Sequence, residues 1–183
     1  MSHLFKITGM TAVAALALLF SGCASYHLGS SAELPFKSIY VRPAANEGFA
    51  PQAQSVLSGQ IREAFIRDGR LQLVADEAEA DAVLEVTITD YSRSSAVRDS
   101  GDTVRATDFD LRLEASASLY DNAGGRYFFK GRQVSERGAA YVGNPYSAAI
   151  GDAQGFSQAE YQAMPRLTRG LARKIADEVL GAW

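Results

Sequence analysis

One stretch in the middle of the chain constrains the fold more than any other. From Asp108 the sequence alternates without a break: Phe109, Leu111, Leu113, Ala115, Ala117 and Leu119 take one set of positions, and Asp108, Asp110, Arg112, Glu114, Ser116 and Ser118 take the other. Successive side chains of a strand point to opposite faces, so this pattern is a long strand with one face buried and one face wet, as antiparallel sheets have. Asp121-Asn122-Ala123-Gly124-Gly125 then reads as a hairpin turn, and Tyr127 to Val134 returns as a further strand. Upstream, Ala82, Leu84, Val86 and Ile88 alternate with Val83, Glu85, Thr87 and Thr89. Three consecutive strands make an antiparallel meander.

The flanks add helices. Ser38 to Arg42 is a short strand stopped by Pro43, and Asn46 to Pro51 is a loop. From Pro51, which suits a first helical turn, Val56, Leu57, Ile61, Ala64 and Phe65 fall at helical spacing, and Gly69 closes the helix. Leu71, Leu73 and Ala75 alternate as a second strand. Strand, helix, strand with short links predicts a right-handed crossover between parallel strands. Residues 138 to 156, rich in Gly, Ala and Tyr, read as a long loop of the kind that carries function or motion. Ser157 with Glu160 forms a capping-box signature for a last helix, which places Leu167, Leu171, Ile175 and Val179 on one face. Pro165 lies within it and predicts either a kink or a break into two helices. No internal repeat is visible. The expected fold is an α/β (α+β) two-layer sandwich: a mixed sheet of four to five strands, β-α-β then meander, with two helices on one face.

The N-terminus is separate in character. Lys6 precedes an almost unbroken apolar run from Ile7 to Phe20, and small residues lead to Cys23. That is the layout of an export signal, and the run is too short for a spanning helix of about 20 residues. Cys23 is the one cysteine of the chain, so an exported domain has no disulfide, although it sits in an oxidising compartment. Phe20-Ser21-Gly22-Cys23 resembles the lipobox of bacterial lipoproteins, which implies diacylglycerol on the Cys23 thiol and a new N-terminus there after cleavage. Ala24, standing where an Asp retains lipoproteins in the inner membrane of enteric bacteria, points to the outer membrane, on its periplasmic side. The expected organisation is a signal peptide over residues 1–22, a lipidated tether over 23–37 and a single domain over 38–183. Lys6 is the only basic residue ahead of Cys23, so 17 of the 18 basic residues remain against 21 acidic ones. With that balance and no basic stripe interleaved with aromatics, nucleic acid is not an expected partner.

Chemistry has little raw material. Beyond the signal the only histidine is His27, in the tether, so triads and zinc sites lack parts, and no catalytic residue, metal or bound cofactor is expected. Asp108, Asp110 and Glu114 share one strand face with Arg112 between them, which is the wet face of a half-buried sheet rather than a carboxylate pair in a cleft. Gly124-Gly125 and Gly151 to Gly155 lack the Lys and Ser/Thr of a phosphate loop. Arg93, Arg98 and Arg105 lie in and beside the connection between the two long strands, and Arg132 and Arg137 lie towards the end of the returning strand. This is either a patch for phosphates and carboxylates or solubilising charge.

The order Tyr26-His27-Leu28, Leu34-Pro35, Ile39-Tyr40-Val41, Asp68-Gly69-Arg70-Leu71, Ala80-Asp81-Ala82-Val83-Leu84, Thr89-Asp90-Tyr91 and Ala163-Met164-Pro165-Arg166-Leu167 resembles the LptE family of lipopolysaccharide-assembly lipoproteins across essentially the whole chain from Cys23. The resemblance implies a two-layer sandwich lodged in the lumen of the β-barrel protein LptD, binding lipopolysaccharide and catalysing no bond chemistry. It implies Arg98, with Arg93 and Arg105 as neighbours, as the lipopolysaccharide-binding cations. Some relatives carry a second cation in the loop before the last helix; residues 138 to 156 have none. Tyr141, Tyr146 and Phe156 either anchor in the barrel wall or pin their loop to the sheet. Outside that family, the same features fit a lipoprotein scaffolding another envelope complex or, less well, a lipid-tethered periplasmic hydrolase.

Overall fold

The computed structural model describes residues 33–50, 52–98, 106–142 and 155–183. Within it, Leu34–Trp183 forms one compact unit. The strands are β1 (Ser38–Val41), β2 (Ala45–Asn46), β3 (Gln72–Leu73), β4 (Ala82–Arg98), β5 (Ala106–Asp121) and β6 (Arg126–Tyr141); the helices are α1 (Ala53–Asp68) and α2 (Phe156–Leu180). The sheet runs β3-β1-β4-β5-β6, with β2 beside β4. The pairs β1–β3, β1–β4 and β2–β4 are parallel, and β4–β5–β6 is the antiparallel meander.

The alternation of β5 decides the packing. Leu111, Leu113, Ala115, Ala117 and Leu119 are fully buried, and the intervening positions face away from the core. Both helices cover that one face, α2 over β5 and β6 and α1 over β1 to β3, and they pack on each other. Leu57, Ile61 and Phe65 of α1 meet Leu167, Leu171, Ile175 and Val179 of α2 in one core. Gly69 closes α1 in the left-handed conformation, donating its N–H to Phe65 O. Pro51 lies outside the described residues. The core also takes in Leu34 and Phe36, the latter only 4% exposed, so the fold begins within the stretch expected to be tether.

Two expectations change, and of the two outcomes expected at Pro165 the break is excluded. Ser157–Glu160 is not a capping box: α2 starts from Gly155 without a side-chain cap, and Glu160 is buried inside the helix. Pro165 does not break α2, which is a single helix through it. Around the lost backbone donor, Thr168 Oγ1 donates to the Met164 and Pro165 carbonyls, and Gln60 of α1 donates to Pro165 O at 3.1 Å. The meander strands also run past their expected ends. In β4 a bulge between Ile88 and Asp90 shifts the phase, so the core-side positions become Tyr91 and Arg93. In β6 they become Glu136, Gly138 and Ala140, partners of buried or half-buried β5 positions. The part of the expected long loop up to Tyr141 is therefore strand. Gly138 is small because α2 comes close: a Cβ there would stand 3.2 Å from Leu167 Cδ1.

One edge of the sheet is β6. Two of its outward carbonyls are occupied from α2, where Lys174 Nζ donates to Ser135 O at 2.8 Å and an Arg166 nitrogen donates to Ala139 O at 3.2 Å.

Candidate functional site

The face of β4–β5–β6 turned away from the helices has no covering element among the described residues. Its rows follow from the register: Ser92 beside Arg112 beside Arg137, and Ser94 beside Asp110 beside Ala139. These side chains line a shallow recess of about 440 Å³, with Ser92, Ser94, Asp110, Arg112 and Arg137 around it. Two arginines directly opposite each other on neighbouring strands repel. Arg112 is partly compensated by Glu114, whose Oε1 lies 2.9 Å from Nε. That N–H is enclosed and not aimed at the oxygen, so the contact is an ion pair rather than a hydrogen bond. A phosphate or carboxylate between the two guanidinium groups would relieve the repulsion and find hydroxyl donors in Ser92 and Ser94.

The expected cationic cluster divides between faces. Arg93 stands in register with buried Leu111, on the helix side. Its guanidinium is 3.5 Å from Glu160 and lies over the rings of Tyr91 and Phe156 at 5.6 and 5.5 Å. Tyr91 Oη donates to Glu160 Oε1 at 2.5 Å. Burial, and then this hydrogen bond, push the Tyr91 phenol above its ordinary value. Arg93 is thus a latch between β4 and the first turns of α2, not part of a tip cluster. Arg98 is the last residue of β4, in register with Ala106; Arg105 lies outside the described residues. Arg132 is also on the helix side, paired with Glu178 at 3.1 Å and stacked on Phe129. Arg137 alone of the returning pair reaches the open face, and it meets Arg112, which the sequence pattern presents only as a spacer between carboxylates. The signal for Arg112 is its even position on β5, opposite an arginine of the next strand; finding it requires the β5–β6 register.

Of the aromatic trio, Phe156 begins α2 and packs edge-on against Phe109, centroids 4.5 Å apart, which pins the helix to the sheet. Tyr141 ends β6, 64% exposed, beside a cleft of about 250 Å³ lined by Ala139, Ala140, Ala159, Ala163 and Arg166. Tyr146 and Cys23 lie outside the described residues. Among the described residues no three metal-ligating side chains gather, and no helix is long and apolar enough to cross a membrane.

Comparison with known proteins places this geometry. No curated protein matches the chain. Solved structures share its fold at low identity. A hypothetical protein from Chlamydia trachomatis matches with a TM-score of 0.55 and 12% identity over 80% of this chain and 97% of its own. A protein from Xanthomonas campestris matches at 0.56 and 12% over 82% and 86%. A minor lipoprotein from Acinetobacter baumannii matches at 0.51 and 16% over 81% and 93%. The family model for LptE, lipopolysaccharide-assembly, matches residues 36–179, from the buried Phe36 to the last core residue but one of α2. The chain therefore belongs to the LptE lipopolysaccharide-assembly family.

Proposed function

We propose that the chain is a lipoprotein of the outer membrane, acylated at Cys23, that fills the lumen of the LptD β-barrel and binds lipopolysaccharide as the barrel delivers it, with no bond made or broken. The observation that carries this reading is the open face of the meander. Beyond the row of Val83 and Tyr120 at one end it is polar, with Glu85, Ser92, Ser94, Asp110, Arg112 and Glu114, as the lumen of such a barrel is. β4 has 17 residues, which at about 3.3 Å per residue spans roughly 55 Å, enough to cross the ~40–45 Å of a bilayer with its headgroups. Such a blade can carry a site from one side of the membrane to the other.

Arg112 and Arg137, backed by Ser92 and Ser94, are the cations placed to take lipopolysaccharide phosphate or carboxylate, with Arg98 and Arg105 following in the sequence at either end of the β4–β5 connection. The test uses the lipidated protein purified from membranes. The barrel is expected to co-purify, and the Arg112→Glu, Arg137→Glu double variant is expected to bind lipopolysaccharide at least tenfold more weakly with unchanged thermal stability. Equal binding by the double variant removes these two residues, and equal binding by Arg98→Glu removes the connection. A lipidated protein that brings down no barrel points to a scaffold of another envelope complex.

A further inference from the structure

Phe49 is the residue whose placement the fold least explains. Its ring is 91% exposed, the most of any large apolar side chain among the described residues. Its backbone has φ 53°, in the left-handed region that a side chain larger than glycine's disfavours. Gln52, with φ 55°, is the other non-glycine residue of that kind among the described residues, and it stands in the same loop.

The loop is not loose. Glu47 and Gly48 both donate to Ile88 O, at 2.9 and 3.1 Å, on the bulge of β4. Gly48 lies so close to the strand that a Cβ would sit 2.8 Å from the Asp90 backbone. Asn46 clamps the far side, donating to Ala50 O at 2.9 Å and accepting from Ala50 N at 3.2 Å. The chain thus fixes a strained turn firmly and sets an aromatic ring at its apex, where glycine or asparagine would be relaxed and soluble. An aromatic side chain on a rigid support is the usual anchor of a protein interface.

The surroundings describe what it fits. Beside the loop, a cleft of about 200 Å³ is lined by Gln52, Ser157, Glu160, Tyr161 and Met164, with Tyr161 itself exposed. Glu47 and Asp90 are exposed next to the turn, and neither the loop from Asn46 to Gln52 nor the cleft lining contains a Lys or Arg. We infer that Phe49 is a docking anchor for a partner protein, its ring entering an apolar pocket whose rim is basic to complement the exposed Glu47 and Asp90. For the identity of that partner the inference rests on the barrel reading above.

The test compares native lipidated protein with Phe49→Gly and Phe49→Tyr. Phe49→Gly is expected to raise Tm, because the strain of φ 53° is removed, while cutting barrel co-purification at least tenfold; Phe49→Tyr retains the barrel. If native protein and Phe49→Gly hold the barrel equally, the anchor is wrong and the barrel reading stands. A fall in Tm for Phe49→Gly shows the ring to be structural and overturns the anchor. If native protein brings down no barrel, the barrel reading fails and takes the anchor with it.

Discussion

The two halves of the meander are built on different principles, and the bulge at Thr89 divides them. In the half formed by Ala82 to Ile88 of β4 and Ala115 to Leu119 of β5, every inward side chain of these two strands is apolar and fully or nearly fully buried under the helices. In the half beyond the bulge, Leu111 and Leu113 of β5 are still buried and Phe109 meets Phe156, but the inward positions of β4 are Tyr91 and Arg93, and their contact with α2 is made by a phenol, a carboxylate and a guanidinium. The first half supplies stability through area removed from water. The second adds directional polar contacts to its apolar ones and carries arginine and serine on the other face.

That contrast can be broken most sharply by truncation. Leu84→Ala, in the apolar half, is expected to cost about 2–5 kcal/mol of unfolding free energy, read from the urea midpoint, whereas Arg93→Ala, half-exposed in its ion pair, costs about 1 kcal/mol or less. Equal losses would mean that the inward positions of β4 contribute alike on both sides of the bulge.

A smaller effect separates them by pH. The phenol of Tyr91 is held above its ordinary value, so the stability it contributes is whole below pH 10.0, the unfolded value, and declines as pH rises beyond it. Hydrogen exchange is expected to accelerate at the first turns of α2 in alkali, and Tyr91→Phe, which costs about 1 kcal/mol at neutral pH, is expected to abolish that alkaline sensitivity.

The opposite end answers to acid. Asp81 accepts from the backbone N–H groups of Lys37 and Ser38, each at 2.9 Å, and these hold its carboxyl below the ordinary value. Its contribution is present above pH 3.8 and is lost as pH falls through the lowered folded value. Asp81→Asn is expected to flatten the acid limb of the stability profile and leave the alkaline limb unchanged, the smallest of the three effects because Asp81 is exposed.

The same division governs what the sequence made legible. Where inward positions are Leu, Ile, Val and Ala, period-two alternation locates the strands, and i+4 spacing locates the inner face of α2. Past Thr89 the bulge moves the phase by one and the inward residues become Tyr91 and Arg93, so a strand looks like a polar connection. Past Val134 the inward residues become Glu136, Gly138 and Ala140, small or charged because Leu167 and Lys174 reach them from α2. Composition cannot distinguish that from a loop. The Arg112–Arg137 pair is hidden for a related reason: each arginine is visible, but their meeting depends on cross-strand register, which a bulge at Gly131, φ 70°, resets. Phe49 carries no sequence signal at all, since an isolated phenylalanine in a loop reads as core.

The two α2 side chains that reach over β6 bear on how the molecule resists pairing with itself. A free rim of sixteen residues invites a second molecule to zip alongside and seed fibres. Lys174 and Arg166 occupy two of the oxygens such a zipper would need, and set positive charge where two identical rims would have to meet. The last helix is therefore a guard of that rim as well as a cover for the core.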